Sequence, residues 1–162
     1  MSRIINNLFP IPACNDYRGG RIPLYGYYFM LVVTLVRASV HFLMPEASVN
    51  SLASIIVIEG GNPDPNHLFY LFRADSGLLQ MLWVIIYAVV LLRYRNLIPL
   101  MFAFLVVECL FSFIVGALHP LDPIYYERTP PEILAVVPTL AFSLIMTWLA
   151  VRNATASPYT HR

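Results

Sequence analysis

The sequence predicts an all-α, polytopic membrane protein, a single four-transmembrane-helix bundle with both termini cytoplasmic. Three observations predict it. The 162-residue chain is 59% hydrophobic and 12% charged, against roughly 45–50% and 25% in an ordinary globular domain. Four apolar stretches reach the roughly 17–25 residues that cross a hydrocarbon core. The arginines, the only strong cations in a chain without lysine, gather on one side of a four-crossing arrangement.

The first crossing is expected over 24–44, bracketed by Pro23 and Pro45, since proline is tolerated at a helix start and stops a helix elsewhere. The second is expected over 68–92, with polar residues in its first half. Arg93-Tyr94-Arg95-Asn96 forms a tight hairpin into the third, 97–118, and a connection holding Pro120, Pro123, Pro130 and Pro131 leads to the fourth, 133–151. Runs such as WVIIYAVVLL from Trp83 and LIPLMFAFLVV from Leu97 are apolar all round, whereas a soluble bundle keeps a polar face on every helix. Pro138 lies inside the fourth crossing, where it should free the Leu134 carbonyl and kink the helix.

Arg3, Arg18, Arg21, Arg93, Arg95, Arg152 and Arg162 fall on one side, Arg37 and Arg73 lie inside crossings, and Arg128 alone falls on the other side with Glu46, Glu59, Asp64, Asp122, Glu127 and Glu132. Short arginine-bearing loops stay cytoplasmic, which makes 45–67 and 119–132 the outer loops of a multi-pass protein. Residues 51–58 are too short to span and read as a short helix or strand at the outer surface. Residues 1–20, broken by Pro10 and Pro12, hold no secretory signal, and 1–20 and 153–162 read as flexible tails.

A net charge of +1 leaves no footprint for nucleic acid. Two cysteines rule out a disulfide-built domain. Cys14 is expected in the cytoplasm and Cys109 buried in mid-membrane, so they should not pair.

The chemistry lies in polar groups inside the crossings. Thr34, Arg37 and His41 share a face of the first helix, and Arg73, Ser76 and Gln80 a face of the second, with Asp75 slightly offset. The third carries Glu108 and Ser112, and the fourth Thr139, Ser143 and Thr147. Hydrocarbon offers these groups no partner, so the stripes are expected to converge, either to fasten the helices or to line a polar pocket beneath the outer 46–66 loop. Glu108 lies about 16 Å into its helix, near the midplane, at 1.5 Å per residue. An unpaired charge there costs roughly 2.5–3.5 kcal/mol, so Arg37 and Glu108 are expected to pair, and Arg73 to pair with Asp75 or an outer-loop carboxylate. Candidate ligand-binding residues are therefore Arg37, His41, Arg73, Ser76, Gln80 and Ser112, and Trp83 and Tyr87 are placed to line the same pocket. The Thr139, Ser143 and Thr147 ladder reads as helix packing. No metal or cofactor is expected; the alternative is a divalent metal or haem held by His41, His67 and His119, all at the outer membrane level.

Pro45-Glu46, Leu71-Phe72-Arg73-Ala74, the small residue Gly77 and the arginine-bearing hairpin resemble a domain-of-unknown-function family of small four-helix bacterial membrane proteins. That resemblance implies the fold and a bacterial cytoplasmic membrane, but no chemistry. Arg73-Ala74-Asp75-Ser76-Gly77 is also similar to the Arg-Ala-His-Ser-Gly element of membrane-bound styrene oxide isomerases. There the histidine binds haem iron; Asp75 stands in its place, so haem ligation does not carry over. What the resemblance implies instead is Asp75 and Glu108 as a catalytic acid–base pair acting on a small apolar substrate. The ergosterol-pathway scaffold proteins are similar in architecture alone.

Two function classes follow. One is an accessory or scaffold subunit, or an apolar-ligand-binding subunit, embedded in the bilayer as a homo-oligomer or part of a larger membrane complex. The other is an intramembrane isomerase, cyclase or epoxide-opening enzyme using Asp75 and Glu108. A cavity reaching those two carboxylates is the discriminating feature.

Overall fold

The computed structural model describes residues 3–156. Five helices follow one another: α1 (Arg3–Leu8), α2 (Arg21–Leu43), α3 (Asn66–Arg93), α4 (Ile98–Leu118) and α5 (Pro131–Ala156). Short 3-10 turns occupy Arg95–Leu97 and Pro123–Tyr125. The last four helices are each long and apolar enough to cross a membrane, so the chain is a multi-pass helical membrane protein. Among the described residues there is no strand, only an isolated antiparallel bridge.

Local chemistry sets the helix ends. α2 carries Pro23 in its first turn and stops where Met44 precedes Pro45; Met44 is extended, at φ −73° and ψ 141°, because a residue before proline avoids the helical region. Arg95 Nε donates to the Leu91 carbonyl at 2.8 Å, satisfying an orphan acceptor at the end of α3. α5 opens on Pro131 with Glu132 in its first turn, where a carboxylate favours the positive end of the helix dipole. It runs through Pro138 to Ala156, further than the expected end at 151.

The bundle is two helix pairs. α2 packs along α3, and α4 along α5, with lesser contacts between α2 and α5 and little between α3 and α4. One end of the bundle carries α1, the 94–97 turn and the last turn of α5 and is called here the terminal end; the opposite end is the loop end. Tyr27, Tyr87, Val90, Leu91, Ile98, Met101 and Phe102 form the buried cluster at the terminal end. The Tyr27 hydroxyl donates to the Tyr87 carbonyl at 3.2 Å, and the Tyr27 ring lies 5.2 Å from Tyr87 and 5.9 Å from Phe102. Lipid is as apolar as these side chains, so close packing and hydrogen bonds hold the helices together, with roughly 0.5–1.5 kcal/mol for each well-placed ring pair.

Two glycines set the crossings. A Cβ on Gly77 would lie 2.8 Å from the Phe42 amide nitrogen and 2.9 Å from the His41 carbonyl carbon, so α3 meets the backbone of α2 at its last turn. Gly26 faces Met146 and Phe142 of α5, a Cβ there lying 3.0 Å from the Met146 sulfur.

The segments outside the membrane helices are held by hydrogen bonds of their own. Residues 51–58 are turn and bridge, not helix: Ile55 pairs with Tyr126, the Ile56 amide donates to the Tyr125 carbonyl at 3.1 Å, and the Glu127 amide donates to the Ser54 carbonyl at 2.9 Å. This stitch joins the two long loops into one cap. Asn66, buried at the start of α3, donates to the Ile58 carbonyl and accepts from the Ile58 amide. At the terminal end, α1 and the residues after it are no loose tail. The Asn96 side chain accepts from the Cys14 amide at 2.9 Å and donates to the Pro12 carbonyl at 3.0 Å, and Asn153 Nδ2 donates to the Gly19 carbonyl at 2.9 Å. Of the expected tail 153–162, residues 153–156 continue α5 and 157–162 lie outside the described residues, as do 1–2.

Candidate functional site

The polar stripes meet, but not at one place. The deeper cluster joins three helices. Arg37 Nε of α2 donates to Gln80 Oε1 of α3 at 2.7 Å, and Arg37 Nη2 stands 4.0 Å from Glu108 Oε1 of α4. The expected Arg37–Glu108 pair is therefore present, although 4.0 Å is an ion pair and not a hydrogen bond. It is also open: the Arg37 and Glu108 side chains are 46% and 55% exposed.

The second cluster lies nearer the loop end. Arg73 of α3 forms an ion pair with Glu132 in the first turn of α5. This is the outer-loop carboxylate of the two partners expected for Arg73. Arg73 Nε and Glu132 Oε2 are buried without a hydrogen-bond partner among the described residues. In both pairs the α2–α3 half supplies arginine and the α4–α5 half supplies glutamate, so the halves are electrostatically complementary.

Asp75 belongs to neither cluster. It lies five residues from Gln80, a rotation of about 140° at 3.6 residues per turn, and it is exposed with no ion pair or hydrogen bond among the described residues. Its level follows from Gly77, two residues on, which crosses α2 at its last turn. Asp75 is thus a boundary residue on the far side of α3, and among the described residues it shares no hydrogen bond or ion pair with Glu108.

Ser76 and Ser112 are also outside the site. The Ser76 hydroxyl donates to the Phe72 carbonyl at 3.0 Å and the Ser112 hydroxyl to the Glu108 carbonyl at 2.9 Å, both exposed on their own helices. A hydroxyl four residues along satisfies itself in this way. Ser143 and Thr147 do the same within α5, donating to the Thr139 and Ser143 carbonyls at 2.8 and 2.7 Å, with Ser143 fully buried; this fits packing. Tyr87 is part of the core, with the Trp83 ring tilted beside it and the ring centres 6.3 Å apart, and neither lines either of the two cavities described below.

The three histidines do not converge. His41 is buried, its Nδ1 2.5 Å from Ser48 Oγ of the loop cap. His67 is exposed beside Asp64, at 3.7 Å. His119 is exposed just beyond α4. Among the described residues no three of the His, Cys, Asp and Glu side chains are grouped to hold a metal. Cys14 and Cys109 are both free thiols, Cys109 buried as expected.

A cavity does touch two of the expected ligand-binding residues. It measures about 380 Å³ and is lined by Val32, Val33, Val36 and Val40, by the apolar parts of Arg37 and His41, and by Leu52 of the loop cap above. Its volume falls at the lower end of the roughly 300–1,000 Å³ range of small-molecule sites. Its origin is in the helix register. Gly26 and Phe29 face α5, Phe29 with its ring 6.0 Å from Phe142. Val33, Val36, Arg37 and Val40 continue that face at a spacing of three and four residues. At the terminal end α5 covers this face; toward the loop end it is open, with Val32, Val33 and Val36 at 57%, 40% and 58% exposure. Pro138 sits one turn loopward of Phe142 in α5. Hydropathy alone hides this groove, because a valine facing a neighbouring helix and one facing lipid read alike.

A second cavity, about 370 Å³, lies at the terminal end, with Asn6, Asn7, Cys14, Tyr17 and Asn96 among its walls. Burial pushes the Tyr17 phenol above its ordinary pKa, and its hydroxyl has no partner among the described residues. Neither of these cavities touches Asp75 or Glu108. Comparisons with protein-family models, curated proteins and solved structures found no match, so the site is read from its own chemistry.

Proposed function

We propose that the protein is a membrane-embedded binding subunit for a small apolar molecule, which enters sideways from the bilayer into the groove on α2. The observation that carries this reading is the groove itself: four valines along one face of α2, Leu52 of the loop cap as its ceiling, and an almost wholly apolar wall. A guanidinium half-exposed inside a membrane helix is costly unless something satisfies it. Gln80 and Glu108 supply that partner for Arg37, which leaves the valine face of the groove for an apolar guest.

The terminal end belongs on the cytoplasmic side, because the arginines of the tails and the 93–95 hairpin gather there. A bacterial cytoplasmic membrane follows from the resemblance of the 45–118 region described above. Enzymatic epoxide opening or isomerisation by Asp75 and Glu108 draws no support from the two cavities, neither of which reaches either carboxylate. A second reading, an accessory subunit in a homo-oligomer or larger complex, draws on α4, whose residues from 110 to 118 are all exposed.

The test is photolabelling in lipid nanodiscs with a long-chain diazirine alkane, followed by peptide mapping. The reading expects label concentrated at 32–41 and at Leu52, and competed away by excess dodecan-1-ol. Uniform, uncompeted label over all lipid-facing helices overturns it.

A further inference from the structure

Resting on the second of those readings and independent of the groove, we infer that two copies of this chain pair through the face of α4 turned away from α5, with Arg37 of each copy meeting the partner's Glu108. The argument begins with exposure. Arg37 has Gln80 and Glu108 as partners within the chain, yet both side chains of the ion pair stay about half exposed. Among the described residues the guanidinium donates only to Gln80, and the Glu108 carboxylate accepts no hydrogen bond. Glu108 sits midway along α4, at a depth where charged groups face protein or water and not lipid. The bundle leaves the pair uncovered, because α3 and α4 barely touch.

The second point is which face is open. The α5 side of α4 is marked by Phe102, whose ring lies 6.0 Å from Phe142. Glu108 lies six residues on, about 120° round the helix at 3.6 residues per turn. Phe104, Phe111 and Val115 fall within about 60° of Glu108 and still further from the α5 side, and all three are exposed. From Leu110 to Leu118 the helix is exposed on every side, so a second α4 can pack on Phe111 and Val115 without displacing α5. Close packing of this kind is what joins helices in lipid.

The third point is symmetry, and it selects the occupant. Two copies inserted in the same direction are related by a two-fold axis along the membrane normal, which keeps depth and reverses direction within the plane. An Arg37–Glu108 pair set beside its own two-fold image therefore lies antiparallel to it. Each guanidinium meets the partner's Glu108, each carboxylate the partner's Arg37, and the charges alternate and sum to zero. The guanidinium is donor-only and the carboxylate acceptor-only, so each gains the group it lacks. A partner offering a single charge covers only one of the two.

The measurement is subunit counting by single-molecule photobleaching of the full chain, carrying one dye, in dilute liposomes. The wild type should bleach in two steps. On a background with Cys14→Ser and Cys109→Ala, Phe111→Cys and Val115→Cys should form disulfides between copies, and Leu110→Cys and Phe113→Cys, on the α5 side, should not. Glu108→Arg and Arg37→Glu should each weaken the dimer at least about tenfold, because like charges then face each other. The double variant Arg37→Glu/Glu108→Arg restores the alternation and should restore the dimer. A single bleaching step in the wild type, or one copy beside a different subunit in native membranes, overturns the inference and the homo-oligomer reading with it. Two steps with disulfides at 110 and 113, or with none at 111 and 115, keep the oligomer and overturn this interface. So does a dimer that both charge reversals leave unchanged. The wild-type count and the disulfides decide the matter even if a charge variant fails to fold.

Discussion

The tightest prediction concerns Gly77. Replacing it with alanine adds one methyl group where α3 crosses α2, and that carbon would lie 2.8 Å from the Phe42 nitrogen and 2.9 Å from the His41 carbonyl carbon. Ordinary non-bonded contacts begin near 3.5 Å, so the two helices must separate by roughly half an ångström or more. Both neighbours are backbone, and no rotamer change relieves the clash. Overpacking of this kind costs about 1–3 kcal/mol. The same separation pulls Arg37 from Gln80, because both ride on this crossing. Two other glycines serve as internal controls. At Gly26 the added carbon meets the ends of Met146 and Phe142 side chains at 3.0–3.2 Å, which can move, so Gly26→Ala should cost less. Gly116 has nothing within 4 Å, and Gly116→Ala should stabilise by up to about 1 kcal/mol through helix propensity. The assay is the unfolding midpoint in mild detergent titrated with SDS. An unchanged midpoint for Gly77→Ala, or a loss as large at Gly116 as at Gly77, refutes the close crossing.

Two further predictions follow from the loop end. Arg73→Met leaves the Glu132 carboxylate without its ion pair; for a pair only a quarter to a third exposed, the loss should be about 1–3 kcal/mol, below the full cost of breaking a wholly buried one. The double variant Arg73→Met/Glu132→Leu should recover most of it, and strict additivity in a double-mutant cycle contradicts the pairing. Asp64 accepts hydrogen bonds from the Asn66 amide at 2.9 Å and the Asn66 side chain at 2.7 Å, which hold its carboxyl below the usual range. A carboxyl depressed by folding adds stability above its unfolded value, near pH 4, and that contribution disappears as pH falls through the lower folded value. The protection factor against hydrogen exchange of the Ile58 amide, which Asn66 also holds, should therefore fall on acidification below about pH 4, and Asp64→Asn should remove this pH dependence.

Much of the architecture was legible in the sequence because hydrocarbon imposes a length and a polarity on anything that crosses it. The expected crossing 24–44 became α2 over 21–43, and 97–118 became α4 over 98–118. The pairing of Arg37 with Glu108 followed from the cost of leaving either alone. What periodicity does not contain is the rotation and tilt of one helix against another. Asp75 and Gln80 sit on one apolar cylinder, yet the contact of Gly77 with the last turn of α2 turns Asp75 away from the cluster. The groove is likewise a matter of tilt: Gly26 and Val33 lie on the same face of α2, and only the course of α5 makes one covered and the other open. The ordered terminal segment escaped for another reason. It is held by single amides, Asn96 and Asn153, whose partners lie 82 and 134 residues away in the chain, and local pattern carries no trace of such bonds.

The most direct measurement is a nitroxide scan along α2 in nanodiscs, on a background with Cys14→Ser and Cys109→Ala. Labels at positions 33, 36 and 40 report the groove, position 35 the opposite, exposed side of the helix, and position 30 the face packed on the core. Oxygen collision rates should be high at 33, 36 and 40 and low at 30. Saturating dodecan-1-ol should then lower them at the three groove positions and leave position 35 unchanged. A groove face as shielded as position 30, or an alcohol effect equal on both sides of the helix, contradicts the account.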